Sequence, residues 1–350
     1  VEGFKEKDNG VEVLLKDNPS LQADMVVLAI GVTPDTALAK EAGLELGIKG
    51  SIVVNDRMET SVPDIYAAGD AVQVKHYVTG DDALISLAGP ANKQGRIIAD
   101  NICGGDSRYL GSQGSSVIKV FDMTAATTGI NETNAKKSGL DVDTVILSPM
   151  SHAGYYPGGK VMTMKVVFEK ETYRLLGAQI IGYEGVDKRI DVLATAIHAG
   201  LKATQLKDLD LAYAPPYSSA KDPVNMAGFM IDNIAKGTLK QWHLEDMDKI
   251  SKDKSVVLLD VRTVGEFNRG HMDGFRNIPV DELRERINEI EKGKPVYLIC
   301  QSGLRSYIAS RILEGNGYET YNFSGGFRFY DAVVNDRALI ERAYACGMDY

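Results

Sequence analysis

A cysteine and an arginine enclose four residues in the segment PVYLICQSGLRS, a spacing that suits covalent chemistry on a bound anion. Cys300 follows an apolar run at 295–299, and a helical pattern begins near Leu304. Backbone N–H groups and the positive end of a helix dipole gather at such a junction, where they stabilise a thiolate. Gly303 lets several amides turn inward, and Arg305 supplies a fixed cation that either ties the loop or binds an anion. The loop therefore predicts a nucleophilic cysteine.

A buried structural cysteine is the alternative, because free cysteine is among the most buried residue types. The flanking segments LLDVRTVGEFNRGHMDGFRNIP and YNFSGGF favour the first interpretation. With them, the tail of the chain resembles the rhodanese family at these matching positions: Asp260, Arg262, Glu266, Phe267, Gly270, His271, Asn277, Ile278, Pro279, Gly325 and Gly326. The resemblance implies that Cys300 attacks a sulfane sulfur, that Arg305 belongs to the catalytic loop, and that the loop amides hold the resulting persulfide.

The length of the loop distinguishes a loop that binds phosphate from one that binds a sulfur species. Loops of the tyrosine-phosphatase type place five residues between cysteine and arginine, whereas this chain has four: Gln301, Ser302, Gly303 and Leu304. The tighter ring resembles the sulfurtransferase version, and these four residues are the expected substrate-binding positions. Many thiosulfate-using rhodaneses carry a basic residue directly after the cysteine. Gln301 in that position favours a less charged donor, such as a persulfide.

A second stretch with chemical potential is TSVPDIYAAGDAV, in which an apolar run ends at Gly69 and Asp70. Taken alone, it could be an ordinary strand-to-loop turn with an aspartate cap. The complete pattern resembles the second FAD-binding motif of pyridine nucleotide–disulfide oxidoreductases. That resemblance implies a hydrogen bond from the ribityl chain of FAD to Asp70, with Gly69 and Ala71 beside it.

Two further segments extend this resemblance. MVVLAIGVTPDT resembles the strand that closes the family's NAD(P)H domain, which implies that Gly31 lies near the nicotinamide nucleotide. AGPANKQGRIIADNI resembles the helix whose N-terminus points at the flavin ring, near Pro90 to Asn92.

Residues 115–237 resemble the dimerisation domain of the same family. SHAGYYPGG and AYAPPYSSAKDPVN are similar to segments of its coenzyme A-disulfide reductase branch, in which tyrosines reach the partner subunit's active site near the substrate sulfur. The site residues that this implies are Tyr217, either Tyr155 or Tyr156, and Asn225. The alternative is that these tyrosines only pack at the dimer interface. Lys188 and Arg189 are candidates for ion pairs at that interface.

Composition excludes several classes of function. The 350 residues carry a net charge of −9, which argues against a nucleic-acid or anionic-membrane surface. Apolar runs fall short of the roughly 20 residues that cross a bilayer. The three cysteines are widely spaced, which predicts no disulfide framework, no metal site and a reducing, cytoplasmic location. Cys103 is expected to be structural.

The chain begins at Val1 inside a predicted strand, so we expect it to be a piece of a longer protein. The family's first FAD motif, its NAD(P)H glycine-rich loop and its flavin-proximal cysteine have no counterpart in the sequence. This piece alone is expected to be inactive as a reductase.

The predicted fold is α/β and α+β in several domains. We expect the tail of an NAD(P)H-binding domain at 1–46, the C-terminal part of an FAD-binding domain at 47–112, a dimerisation domain at 115–237 and a rhodanese domain at 243–350. In the first part of the chain we expect a hairpin around Asn9-Gly10, a strand buried on both faces near 23–31, a short helix ending near Gly43, two strands between 51 and 70, and a helix that stops at Gly104-Gly105. Antiparallel strands are predicted in SVIKVFDMTAATTG, DTVILSPMS and KVMTMKVVFEKETYRLLGAQIIG, and amphipathic helices in DKRIDVLATAIHAGL and PVNMAGFMIDNIAKG. In the tail, strands alternate with helices, one of them in DELRERINEIEKG, which predicts a parallel α/β fold.

The resemblance as a whole implies a homodimeric, FAD- and NAD(P)H-dependent reductase of coenzyme A disulfide, coenzyme A persulfide or polysulfide. Its rhodanese cysteine would carry or deliver sulfane sulfur, and its substrates would be small thiols and persulfides. Two alternatives remain open: an NADH oxidase or peroxidase of the same superfamily, and a rhodanese tail that only docks without catalysing.

Overall fold

The structure is a computed structural model that describes the backbone of residues 1–345 and side chains as far as Asp336. It divides into two compact units, each described by itself below. The first comprises Val1–Gln73 and Ala91–Tyr109, and the second comprises Val74–Pro90 and the chain from Leu110 onward. The four predicted domain boundaries stay predictions.

The first unit begins with an antiparallel three-stranded sheet. Its strands are β1 (Gly3–Lys7), β2 (Gly10–Leu15) and β3 (Asn18–Ala23), in that order. Lys7 pairs with Gly10, so the predicted hairpin is confirmed, with its tight turn at Asp8 and Asn9. Short-range turn chemistry was sufficient for this prediction.

The strand predicted near 23–31 is not formed. Residues 25–30 have no regular structure, and Met25 and Ile30 are 76% and 90% exposed. A strand buried on both faces needs paired neighbours and a covering layer on each side. The described residues supply neither at this place, so an apolar run alone did not produce a strand.

The two strands predicted between 51 and 70 are also absent. Isolated bridges join Ile52 to Leu46 and Val72, and Glu59 to Tyr66, and a 3-10 turn forms at Gly69–Ala71. Apart from short 3-10 turns, the regular elements between residues 24 and 102 are α1 (Ala37–Glu41), β4 (Val74–Lys75), β5 (Asp82–Ala83) and α2 (Ala88–Ile102), of which β4 and β5 belong to the second unit. The short helix expected before Gly43 and the longer one before Gly104 are confirmed.

A five-stranded antiparallel sheet, in the order β6-β7-β10-β9-β8, organises the next part of the second unit. Its elements are β6 (Ser116–Val120), β7 (Met123–Gly129), α3 (Glu132–Lys137), β8 (Val142–Leu147), β9 (Met162–Glu169), β10 (Leu175–Gly182), α4 (Val186–His198) and α5 (Pro223–Ala235). Apolar residues of β8, β9 and β10 pack against α4 and α5 in one core. Alternating and 3.6-residue patterns predicted these strands and both long helices.

A parallel sheet in the order β11-β15-β14-β12-β13 forms the C-terminal part. Its elements are β11 (Gln241–Trp242), α6 (Met247–Ile250), β12 (Val257–Asp260), α7 (Val264–Arg269), β13 (Arg276–Asn277), β14 (Val296–Ile299), α8 (Leu304–Glu314), β15 (Thr320–Phe323) and α9 (Gly326–Ala345). This is the predicted parallel α/β arrangement.

The prediction of an α-helix in DELRERINEIEKG is wrong. The segment forms turns and a 3-10 helix at Ile287–Glu289. The hydroxyl of Tyr318 donates to the carbonyls of Ile287 and Ile290, at 3.2 and 3.0 Å. In an α-helix across 281–293 the Ile287 carbonyl would accept from the N–H of Glu291, so the tertiary contact to Tyr318 favours the observed turns instead.

The antiparallel and parallel sheets of the second unit are joined by a polar junction. Asp143 on β8 pairs with His243 Nε2 at 2.9 Å and accepts a hydrogen bond from Gln241 Nε2 at 3.0 Å. The buried hydroxyl of Ser324 accepts from the backbone N–H of Ile146 at 3.1 Å. Since Ser324 directly precedes the Gly325-Gly326 turn, the junction extends toward the Cys300 loop.

Candidate functional site

Cys300 lies at the end of β14 and is buried, with 1% of its surface exposed. The N–H of Gly303 donates to its Sγ at 3.1 Å, and the hydroxyl of Ser306 lies 3.2 Å from the same sulfur. Gly303 has a φ of +100° and caps α8, which turns its amide back toward the cysteine. Two donors therefore meet one sulfur, as a bound thiolate or persulfide requires.

Ser306 was not among the residues predicted from the sequence. It is fully buried, and its hydroxyl also lies 3.1 Å from the carbonyl oxygen of Gly303. One proton can thus serve either the sulfur or the loop carbonyl. A hydroxyl directly after Arg305, on the first turn of the helix, was the available clue.

Hydrogen bonds from the following strand and turn to the loop backbone brace the loop. Asn322 Nδ2 donates to the carbonyl of Gly303 at 3.1 Å, and the N–H of Phe327 donates to the carbonyl of Cys300 at 2.7 Å. Gly326 has a φ of +69°, and a Cβ there would lie 2.6 Å from the backbone nitrogen of Ser302. Only glycine allows this close approach, which explains the glycine pair of the motif.

Arg305 holds the loop to α7 through a two-pronged ion pair with Glu266. Nη1 and Nη2 each lie 2.7 Å from one carboxylate oxygen. The hydrogen bonds from Arg305 lower the pKa of Glu266 to about 2. Of the two roles expected for Arg305, the structure shows the loop-tying one.

Arg262 forms a second, fully buried ion pair with Asp260, with Nη2 2.6 Å from Oδ2. Its guanidinium also donates to the carbonyl of Gly270 at 2.7 Å and lies 3.8 Å from the centre of the Phe327 ring. Gln301 Oε1 is 3.5 Å from Nη1, a marginal contact. Both arginines near the loop are thus neutralised by a carboxylate.

The other predicted loop residues differ in accessibility. Gln301 and Ser302 are partly buried and Gly303 is buried, whereas Leu304 is 66% exposed at the start of α8. The loop therefore has a polar interior and an apolar outer edge.

The two tyrosine-bearing segments come together beside a cleft of about 470 Å³. The hydroxyls of Tyr155 and Tyr213 lie 2.7 Å apart, and this hydrogen bond raises the pKa of Tyr213. Tyr217 lines the same cleft and is 71% exposed. Tyr156 instead packs edge-on against His152, with ring centroids 5.6 Å apart. Geometry thus favours Tyr155 over Tyr156 and adds Tyr213, which the sequence analysis did not single out.

Arg189 was expected at a subunit interface, but it is 1% exposed inside its own subunit. Its Nη2 lies 3.0 Å from Asp222 Oδ2. Helical periodicity placed the residue correctly on α4 without revealing that its face is turned inward. Lys188, its neighbour, lines the cleft.

Asn225 was expected to bind substrate. Its side chain is buried, and its amide donates to the carbonyls of Leu206 and Leu209 at 2.9 and 3.0 Å. These contacts give Asn225 a structural role at the start of α5.

The segment that resembles a flavin-binding motif has a suitable local geometry. Gly69 has a φ of +83°, and its N–H donates to the buried Gln94 Oε1 at 2.7 Å. The carboxylate of Asp70 is exposed at the following position, so it can accept hydrogen bonds from hydroxyl groups of a ligand. Ala71 completes the 3-10 turn. These residues fit the ribityl end of FAD.

The remaining predicted cofactor positions are placed as follows. Pro90 and Asn92 lie near the N-terminal end of α2, where the positive end of the helix dipole favours an electron-rich ligand. Gly31 is exposed in irregular chain, with a φ of +86°. Its predicted proximity to the nicotinamide nucleotide stays a prediction.

In the part of the chain described by the structure, no three His, Cys, Asp or Glu side chains group in a way that could hold a metal ion. Nor do the described residues include a helix with the length and apolarity needed to cross a bilayer.

Comparisons with known proteins match the chain in three places. Residues 1–95 match the pyridine nucleotide-disulphide oxidoreductase family, residues 115–223 match its dimerisation domain, and residues 243–332 match the rhodanese-like domain.

Three named proteins are similar to more than half of this chain. The crystal structure of reduced CoADR-RHD from Bacillus anthracis is 48% identical, with a TM-score of 0.90 over 95% of this chain and 59% of that one. A NAD-dependent persulfide reductase from A. fulgidus is 41% identical, with a TM-score of 0.84 over 94% of this chain and 60% of that one. The NAD(P)H sulfur oxidoreductase (CoA-dependent) of Pyrococcus furiosus is 40% identical over 61% of this chain and 48% of that protein.

The chain belongs to the pyridine nucleotide–disulfide oxidoreductase family and carries a rhodanese-like domain, as the sequence resemblance predicted. It spans about half the length of the curated relatives it matches. More narrowly, the proteins it is similar to include a coenzyme A disulfide reductase from Staphylococcus aureus, 37% identical over 63% of this chain and 50% of that protein, besides the CoADR-RHD structure.

Proposed function

We propose that the protein containing this chain is an FAD- and NAD(P)H-dependent reductase of coenzyme A disulfide, coenzyme A persulfide or polysulfide. Its rhodanese domain would carry sulfane sulfur on Cys300. The main support for the proposal is the geometry of the Cys300 loop. Gly303 and Ser306 both donate to Cys300 Sγ, and four residues separate Cys300 from Arg305. The names of the similar proteins support the reductase half.

Sulfur transfer to Cys300 needs no external oxidant. The thiolate attacks the outer sulfur of R–S–SH, an S–S bond forms to Sγ, and the original S–S bond breaks to release R–S⁻. The departing thiolate takes a proton from solvent. Because Arg262 and Arg305 are both neutralised by carboxylates, the site offers little free positive charge to a dianion. This supports a persulfide rather than thiosulfate as the donor.

Reduction of a coenzyme A persulfide consumes two electrons and two protons and yields a thiol and hydrogen sulfide. FAD, when bound, would accept a hydride from NAD(P)H and pass the electron pair to a disulfide. Asp70 would hold the ribityl hydroxyls, and the N-terminal end of α2 would face the flavin ring. Tyr213 and Tyr155 would donate a proton or hydrogen bond to the sulfur that leaves.

A homodimer through residues 115–237 belongs to this proposal. The dimerisation-domain match supports it, as does a cluster of exposed apolar side chains on β6, β10 and the adjoining turns: Val117, Ile118, Val120, Phe121, Ile181 and Tyr183. An exposed apolar patch of this kind commonly marks an interface. We place the protein in the cytoplasm, where thiols stay reduced.

Two measurements on the purified protein test the proposal. Incubation with glutathione persulfide should add one sulfur to Cys300, detected by mass spectrometry, and Cys300→Ser should abolish the adduct. No adduct with any donor would leave a docking role for the rhodanese domain. Steady-state oxidation of NAD(P)H should be faster with coenzyme A persulfide than with oxygen. The reverse order would favour an NADH oxidase or peroxidase.

A further inference from the structure

A single buried guanidinium connects the two segments that carry the tyrosine pair. Arg189 Nη2 lies 2.9 Å from the carbonyl oxygen of Ser151, 3.1 Å from Ser218 Oγ and 3.0 Å from Asp222 Oδ2. Ser151 begins the segment that leads to Tyr155. Ser218 and Asp222 follow Tyr213 along the chain.

The acceptors around Arg189 are themselves interlinked. Ser218 Oγ donates to Asp222 Oδ2 at 2.7 Å, and Asp222 Oδ1 caps α5 by accepting from the N–H of Val224 at 3.0 Å. The N–H of Ala153 donates to the carbonyl of Ser218 at 2.9 Å, two residues before Tyr155. Any displacement of the guanidinium is thus transmitted to both tyrosine segments.

The chain makes specific room for this side chain. Gly185, at the start of α4, has a φ of +70°, and a Cβ there would lie 2.1 Å from Arg189 Nη1. Nη1 in turn donates to the carbonyl of Gly185 at 3.2 Å. Lysine cannot reproduce this arrangement, because one ammonium cannot reach the Gly185 carbonyl at Nη1 and the three acceptors at Nη2 together, as a planar guanidinium does.

We propose that Arg189 is a positioning residue that sets the hydrogen bond between Tyr155 and Tyr213 for the reductase reaction. The inference rests on the proposed function of the tyrosine pair and adds a residue that touches neither hydroxyl. Arg189 fixes the backbone of both segments, so the two hydroxyls stay 2.7 Å apart beside the cleft. Without Arg189, the two tyrosines would no longer be held with their hydroxyls within hydrogen-bond distance.

The experiment compares Arg189→Lys with Tyr155→Phe and the double variant, in the holoenzyme with coenzyme A persulfide. A misplaced catalytic group costs about 10- to 100-fold in turnover, and we expect that loss in kcat for Arg189→Lys with KM little changed. If Arg189 acts through the tyrosine pair, the double variant should be no slower than the worse single variant.

The pH dependence of kcat is a second measurement, and a general loss of stability would not change its shape. Separation of the hydroxyls removes the hydrogen bond that raises the pKa of Tyr213, so the alkaline limb should move to lower pH in Arg189→Lys. The other titratable groups that line the cleft beside Tyr213 are His152, Glu184, Lys188 and Tyr217; all are retained in this variant, and Arg189→Lys keeps a positive charge at its own position.

Arg174→Lys is the matched control. It lies in the same antiparallel-sheet domain, donates to the carbonyl of Val78 and contacts no tyrosine segment, so its kcat and pH profile should equal those of the wild type. Since Arg189→Lys alters a buried network, Ser218→Ala provides a milder test: it removes one acceptor and should show a smaller shift in the same direction. Additive losses in the double variant, or an unmoved alkaline limb with folded protein, would overturn the inference. A wild type that does not reduce coenzyme A persulfide would instead overturn the proposed function.

Discussion

Arg305 and Glu266 meet through two parallel hydrogen bonds of 2.7 Å, so the cation of the Cys300 loop is neutralised by a carboxylate from another helix. Parallel bonds of this kind are among the stronger polar contacts in proteins and are geometrically specific. The pair does two things at once: it fixes the loop against α7, and it removes a free positive charge from the neighbourhood of Cys300.

Glu266→Gln should therefore change donor selectivity. The uncompensated guanidinium of Arg305 would attract a dianion, so the ratio of thiosulfate to persulfide use should rise, while loading from glutathione persulfide falls about tenfold as the loop loosens. The rates are measured by mass spectrometry of Cys300. Glu282→Gln removes an exposed partner of Arg286 in the same domain and should leave both rates unchanged. An unchanged selectivity ratio would contradict this role of Glu266.

The same pair has a defined pH dependence. The folded pKa of Glu266 is about 2, below its ordinary value of 4.5, so the ionised carboxylate stabilises the fold above about pH 4.5. That contribution is lost as the pH falls from there through about 2. The difference in unfolding free energy between wild type and Glu266→Gln should thus be constant at neutral pH and shrink in acid. A difference that grows on acidification would contradict the ion pair.

Ser306→Ala should slow sulfur loading while the loop remains folded. The hydroxyl lies 3.2 Å from Sγ, and a hydrogen bond to a charged group is worth enough for about a tenfold loss of rate. Ser310→Ala is the matched control: it is buried one turn further along α8, where its hydroxyl donates to the carbonyl of Tyr307. Equal losses in both variants would indicate helix destabilisation rather than contact with sulfur.

Tyr213→Phe should lower turnover of coenzyme A persulfide about 10- to 100-fold, since general acid catalysis typically contributes at least that much. Tyr155→Phe should resemble it, because each hydroxyl depends on the other. Tyr173→Phe, whose ring stacks on Phe168 in the core of the same domain, should have wild-type kcat. If only Tyr217→Phe slows the reaction, the exposed tyrosine rather than the hydroxyl pair is the functional one.

The features predicted correctly from sequence are those set by neighbours along the chain. They include the loop between Cys300 and Arg305, the hairpin before Gly10 and the amphipathic helices α4 and α5, each of which depends on a local sequence pattern. The prediction of a buried strand at residues 25–30 was wrong because the burial of an apolar run depends on covering layers formed by distant parts of the sequence. The choice between Tyr155 and Tyr156 was open for the same reason: it depends on which hydroxyl meets Tyr213, and that contact is tertiary.

The junction between the two sheets of the second unit should depend on ionised Asp143. Burial opposes ionisation, but the hydrogen bonds from His243 and other donors outweigh it and lower the pKa of Asp143 below its ordinary value. Asp143→Asn should cost about 1–3 kcal/mol in denaturant unfolding at neutral pH, because one amide cannot satisfy all the donors. Asp141→Asn, exposed and paired with Lys170, should cost little. A cost that does not shrink below about pH 4 would contradict a role for the charge.

Gly326→Ala should displace the Cys300 loop. A Cβ would meet the backbone of Gln301 and Ser302 at 2.6–2.7 Å, and the φ of +69° adds strain for any L-residue. Gly317→Ala separates the two effects, since Gly317 has a φ of +82° with nothing within 4 Å of an added Cβ. We expect Gly317→Ala to lose about 1–2 kcal/mol of stability from strain alone, with normal sulfur loading. Gly326→Ala should lose more stability and also load Cys300 slowly, as measured by mass spectrometry on folded protein. Equal stability and normal loading in both variants would show that the glycine turn does not brace the loop.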